Sequence, residues 1–126
     1  MGVPEEVEER IAGATLSVHV ATSVDNRPHV APVWYLYDDG VVSFVTSGRK
    51  LRNIRQNPRV ALSIEKGDES GVEWTVTMLG TATVYDDPDQ VGPVQRRIDE
   101  KYDNDVDYGF QPLVEVEVGS TSHTVY

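Results

Sequence analysis

A mainly β fold, an antiparallel β-barrel of six strands with short helices, is predicted by three features of this 126-residue chain. Runs rich in Val, Ile, Thr, Tyr and Trp recur along it, several alternating apolar and polar residues with the period of a strand. Turn signals built from Asp, Asn, Gly and Pro separate these runs at short spacing. Helical spacing is confined to a few short stretches, and six twisted strands close on themselves more readily than they stay flat.

Residues Pro4 to Gly13 read as a short amphipathic helix, with Val7 and Ile11 on one face, acids on the others and Gly13 as its stop. Leu16 to Thr22 alternates as a first strand, Val24 to Pro28 is a turn, and His29 to Tyr37 is a second strand. Asp38-Asp39-Gly40 turns the chain into Val41 to Thr46, so three consecutive antiparallel strands are expected. A short basic helix follows and ends at Asn57-Pro58, after which Arg59 to Glu65 resumes strand character. Beyond the loop Lys66 to Gly71, the β-branched run Glu73 to Tyr85 is a long strand with Gly80 as a bulge or bend. Asp87 can cap a helix whose first residue is Pro88 and whose apolar stripe is Val91, Val94, Ile98 and Tyr102. An acidic linker, Asp103 to Tyr108, leads to the alternating strand Leu113 to Val118, and Ser122 to Tyr126 adds an edge strand.

The length suits one domain, 1–126, with a single core. No apolar run approaches the ~20 residues of a membrane helix, and the N-terminus lacks the basic and apolar regions of a signal peptide, so a cytoplasmic protein is expected. The absence of cysteine excludes disulfides, thiolate metal sites and cysteine nucleophiles. A net charge of −10 opposes non-specific binding to nucleic acid or anionic membrane. Acids crowding the helices and loops resemble the composition of a salt-adapted protein, as from a halophilic archaeon. His19, His29 and His123 are scattered without the paired spacing of metal ligands, and no serine sits in a nucleophile-elbow pattern.

Against this acidic background, Gly40 to Ile64 contains no Asp or Glu but holds Arg49, Lys50, Arg52, Arg55 and Arg59. Thr46-Ser47-Gly48-Arg49-Lys50 joins a strand to the basic helix. It brings hydroxyls, an open glycine backbone, a helix N-terminus and two cations to one place, each of which favours a phosphate. The alternative is that Ser47 only caps the helix while the cations are solvated or paired.

The order Arg27-Pro28-His29-Val30-Ala31-Pro32-Val33-Trp34, Asp39-Gly40, Phe44-Val45-Thr46-Ser47, Arg49 to Ile54 and Asn57 to Leu62 resembles the flavin-binding split barrels related to pyridoxamine 5'-phosphate oxidase. The resemblance covers nearly the whole chain and implies a six-stranded split barrel, the FMN-binding split-barrel fold. It also implies a homodimer with FMN at the subunit interface and an oxidoreductase acting on a small substrate. By that resemblance Arg49 and Lys50 hold the phosphate, Thr46 and Ser47 contact it and the ribityl chain, and Asn53 either assists at the phosphate or serves on the helix surface. Pro32, Val33 and Trp34 lie along the isoalloxazine, Val45 flanks it, and Trp74 and Thr75 reach it from the partner subunit, although a tryptophan on a barrel strand is more often dimer core. The chain lacks the longer C-terminal segment bearing the substrate-binding Arg and His of pyridoxamine phosphate oxidases. Two alternatives stand beside this reading: use of the deazaflavin F420, with Arg52 and Arg55 gaining ligand roles, and a non-catalytic flavin or haem carrier or sensor, with His29 or His123 as the axial ligand of haem.

Overall fold

The computed structural model describes residues 2–126. One seven-stranded antiparallel sheet in the order β2-β1-β5-β6-β7-β4-β3 curls around the core. Its strands are β1 (Val18–Val24), β2 (Arg27–Val33), β3 (Leu36–Asp38), β4 (Val41–Val45), β5 (Arg59–Asp68), β6 (Gly71–Tyr85) and β7 (Leu113–Val125). Helices α1 (Glu5–Ile11), α2 (Gly48–Gln56) and α3 (Pro88–Lys101) complete the chain. No helix among the described residues is long and apolar enough to cross a membrane.

Period-two patterning sets the inward face of the sheet. Val18 and Val20, Val42 and Phe44, Leu62 and Ile64, Trp74, Val76 and Met78, and Val114 and Val116 all turn inward and are buried. Asp25-Asn26 and Asp39-Gly40 carry the positive φ angles that tight hairpin turns require, at 52° and 61° and at 45° and 82°. The register of β6 on β7 shifts between Leu79 and Gly80, leaving Gly119 as the extra residue. Gly80 is required there, since a Cβ would stand 2.6 Å from the Glu117 carbonyl oxygen. Asp87 caps α3 by accepting from Asp89 N–H at 2.9 Å, with Pro88 opening the helix.

Two expectations are corrected. The run His29 to Tyr37 is not one strand: β2 pairs with β1 at one edge of the sheet, whereas β3 pairs with β4 at the other. Trp34 and Tyr35 carry the chain between these edges, which raises the strand count from six to seven. The physical reason is that Tyr35 finds partners outside the ladder. Its N–H donates to Tyr102 Oη at 3.3 Å, and its carbonyl accepts from Lys101 Nζ at 2.9 Å. At the other end of the chain, Ser122 to Val125 continues β7 along β6 rather than forming a separate edge strand, because the Gly119 bulge absorbs the change of face.

Helix α1 closes one end of the barrel by burying Val7 and Ile11. The wholly buried Tyr35 hydroxyl donates to the Ile11 carbonyl at 2.6 Å, satisfying an acceptor in the last turn of that helix. Tyr37 Oη donates to Glu8 Oε2 at 2.5 Å, so two residues of one face hold the same helix. Tyr35→Phe leaves the Ile11 carbonyl buried without its donor and is expected to cost about 1–3 kcal/mol. Urea unfolding at constant m checks this, and wild-type stability in the variant would show that the carbonyl does not depend on Tyr35.

Candidate functional site

A cleft of about 400 Å³ opens where the end of β2 meets the end of β4. Val33 and Trp34 form one wall, Val45, Thr46, Ser47 and Lys50 a second, and α3 with the following loop, from Gln95 to Gln111, a third. The chain crossing at Trp34 and Tyr35 places β2's last residues here, and the turn from β4 into α2 brings the helix N-terminus to the same opening.

At that N-terminus Gly48 takes φ +70°, a left-handed conformation that glycine adopts without steric penalty. Ser47 is the N-cap residue, yet its side chain makes no capping bond, leaving the first-turn amides of α2 without that partner. Its Oγ accepts instead from Gln111 Nε2 at 3.1 Å. Thr46 is buried, with its N–H donating to Pro112 O at 3.2 Å. No acid occupies the first turn of α2, and Lys50 is the basic side chain lining the cleft. Asp99, Asp105 and Asp107 line the facing wall, so the opening has a cationic side and an acidic side.

Behind Trp34 lies an aromatic support. Its ring stacks on Tyr102 with centroids 4.9 Å apart and planes 10° from parallel. Tyr102 Oη donates to Leu16 O at 2.6 Å. Lys101 Nζ sits 3.8 Å from the Tyr35 ring centroid and 5.1 Å from that of Tyr102. Burial pushes the Lys101 ammonium pKa down to about 8, while the aromatic faces and the Tyr35 carbonyl favour the charged form.

Six of the residues singled out from sequence therefore surround one cleft: Val33, Trp34, Val45, Thr46, Ser47 and Lys50. The others lie elsewhere. Arg49 is exposed one residue before Lys50, and Pro32 is exposed beside Val33. Asn53 is buried, donating from Nδ2 to Thr22 Oγ1 at 3.0 Å, and so ties α2 to β1. Trp74 is buried in the core and Thr75 follows it on β6; neither lines the cleft of its own chain. Arg55 is paired with Asp86 at 2.6 Å, while Arg52 is exposed on the helix. His29 and His123 do not line the cleft; His29 Nδ1 is buried without a partner and His123 Nε2 lies 3.0 Å from Glu6. No group of three or more His, Cys, Asp or Glu able to hold a metal occurs among the described residues.

Sequence reasoning missed the third wall. Gln95 and Asp99 carried one usable signal, a polar pair at helical i,i+4 spacing that bonds at 3.0 Å. Asp103 to Tyr108 read only as an acidic linker, although Asx-type bonds shape it: Asn104 Oδ1 accepts from Val106 N–H, and Asp107 Oδ1 accepts from Gly109 N–H.

The family model described as pyridoxamine 5'-phosphate oxidase matches residues 3–124. Among solved structures, an F420 reductase is 26% identical, with 95% of this chain and 98% of that one covered and a TM-score of 0.77. A FAD-binding protein from Mesorhizobium loti is 20% identical, with coverage of 96% and 94% and a TM-score of 0.73. A conserved protein from Mycobacterium tuberculosis is 20% identical, with coverage of 98% and 85% and a TM-score of 0.80. No curated protein matches the sequence.

The half-buried lysine behind the cleft gives a pH signature. Below pH 8 Lys101 is charged in both folded and unfolded chains, and its burial cost is carried in full. Between pH 8 and the ordinary lysine value of about 10.4, the unfolded chain binds more protons, so stability rises with pH. The stability of wild type relative to Lys101→Met should accordingly climb between pH 7.5 and pH 10 in urea unfolding. A difference that stays flat over this window refutes the assignment.

Proposed function

Because the chain belongs to the pyridoxamine 5'-phosphate oxidase family, we propose that it is a flavin-dependent oxidoreductase holding FMN in the cleft between Val33-Trp34 and Thr46–Lys50, with the functional unit a homodimer. The observation that carries the reading is the uncapped N-terminus of α2, which opens beside Lys50 into a cleft walled elsewhere by Val33, Trp34 and Val45. A phosphate matches the first feature and a flat apolar ring system the second. The cleft volume of about 400 Å³ falls in the range of small-molecule sites.

In this reading Lys50 supplies the charge facing the phosphate, and Arg49, exposed on the same turn, reaches it from outside. Ser47 and Thr46 contribute hydroxyl and backbone donors. Pro32, Val33 and Trp34 present backbone donors and acceptors to the ring edge, Val45 flanks the ring, and Asn53 fixes α2 against β1 from behind. Trp74 and Thr75 serve the partner's cleft. The flavin, when bound, supplies hydride or electron transfer, and the protein supplies position and electrostatics. The substrate is a small molecule entering beside the wall formed by α3 and its loop.

F420 is the second reading, favoured by the likeness to an F420 reductase over nearly the full length of both chains. Its longer anionic tail would meet Arg52, exposed on α2, but Arg55 is committed to Asp86. Asp99, Asp105 and Asp107 across the cleft repel additional negative charge and favour a single phosphate.

Titration with FMN, riboflavin and F420 in parallel separates these readings. FMN should bind well ahead of riboflavin, which lacks the phosphate. The Arg49→Ala/Lys50→Ala double variant should lose roughly 1.5–3 kcal/mol of FMN binding per contact and none of riboflavin binding. Unchanged FMN affinity in that variant removes the phosphate assignment, and preference for F420 replaces the cofactor.

A further inference from the structure

We propose that Gln111 is a positioning residue for the anion-binding end of the cleft, holding the Ser47 hydroxyl off its own helix so that the first-turn N–H groups of α2 stay open to the ligand's phosphate. The inference rests on the cleft being the flavin-phosphate site. Ser47 has the extended backbone of an N-cap residue, with φ −147° and ψ −174°, yet makes no capping bond. A serine there ordinarily accepts from the second or third N–H of the helix. Its Oγ is engaged instead by Gln111 Nε2, 64 residues away in sequence.

Strand pairing delivers Gln111 to this place. Thr46 N–H donates to the carbonyl of Pro112, and Val45 stands in register with Leu113, so the residue preceding Pro112 is carried to the N-cap by the β4–β7 ladder. Gln111, Ser47 and Lys50 then line the same cleft. The amide nitrogen can only donate, so Ser47 Oγ accepts from it and keeps its own proton for a ligand oxygen. With no acidic side chain in the first turn, nothing of the helix's own competes for those donors.

The test titrates FMN and riboflavin into wild type, Gln111→Leu, Ser47→Ala and the double variant, alongside the melting temperature of each apoprotein. In Gln111→Leu the ratio of FMN to riboflavin affinity should fall roughly tenfold with riboflavin binding unchanged. The apoprotein should melt no lower than wild type, because the freed Ser47 caps α2. In the Ser47→Ala background Gln111→Leu should change the ratio no further. An unchanged ratio in Gln111→Leu, with a wild type that prefers FMN, overturns this inference alone. Loss of melting temperature and of both affinities together marks a merely structural residue and also overturns it. A wild type that does not distinguish FMN from riboflavin removes the phosphate reading and this inference with it.

Discussion

The barrel closes at Tyr35. The two edges of the sheet, β2 and β3, are successive in the chain, and the residues between them must leave one ladder before joining the other. A backbone in that position loses its strand partners inside a folded protein, which is costly unless other groups replace them. Here the replacements come from the end of α3: Tyr102 accepts from the Tyr35 N–H and Lys101 donates to its carbonyl. The Tyr35 side chain meanwhile reaches α1 through Ile11. One residue thus joins both sheet edges and two helices, and the cleft stands directly beside it, since Trp34 is its neighbour and Tyr102 supports the Trp34 ring.

The same geometry explains why Lys101 is tolerated in a setting that disfavours charge. An ammonium half removed from water is stabilised by the carbonyl it caps and by the two rings it faces. A neutral residue could fill the volume but would leave the Tyr35 carbonyl only its long 3.4 Å bond from Tyr102 Oη. The cleft makes the opposite compromise. Its N-cap serine forgoes a local bond that would stabilise α2, and unsatisfied donors are kept facing solvent, the kind of local sacrifice expected where binding rather than stability is served. By contrast, the exposed pair of Arg55 with Asp86 lies at the surface, where such pairs contribute little.

Much of the architecture was legible because the information was local. The alternation in β1, β4 and the first half of β7, the turns at Asp25-Asn26 and Asp39-Gly40, and the Asp87-Pro88 start of α3 each rest on neighbours within a few residues. The break at Trp34-Tyr35 was hidden because both halves favour a strand, and the deciding bonds come from Lys101 and Tyr102, 66 and 67 residues later. The continuity of β7 was hidden because Gly119 shifts the inward parity, so that Thr121 and His123 follow Val118 on the inner side. In the site, the Thr46–Lys50 junction could be read from a strand end, a glycine and a cluster of charge, whereas Val33, Trp34 and Val45 came only through the family resemblance. The loop from Asn104 to Gln111 could not, since its residues have no period and its closing bond to Ser47 crosses 64 residues of sequence.

The composition of the cleft constrains the division of labour in any reaction carried out there. No histidine lines it, and cysteine is absent from the sequence, so an imidazole base and a thiolate nucleophile are missing. What remains is one lysine, Thr46 and Ser47, a helix terminus and an apolar wall on one side, with carboxylates, amides and Tyr108 on the other. The first side has the chemistry of a grip, suited to holding an anionic, planar group in one orientation. The second side comes from α3, which is tied to the Tyr35 crossing through Lys101 and Tyr102, and from a loop whose Val106, Tyr108 and Phe110 are exposed and which supplies none of the bonds at that crossing. Under the proposed function, selection among small substrates would fall to that loop, while the reactive centre would belong to the bound group and its placement to β2, β4 and α2.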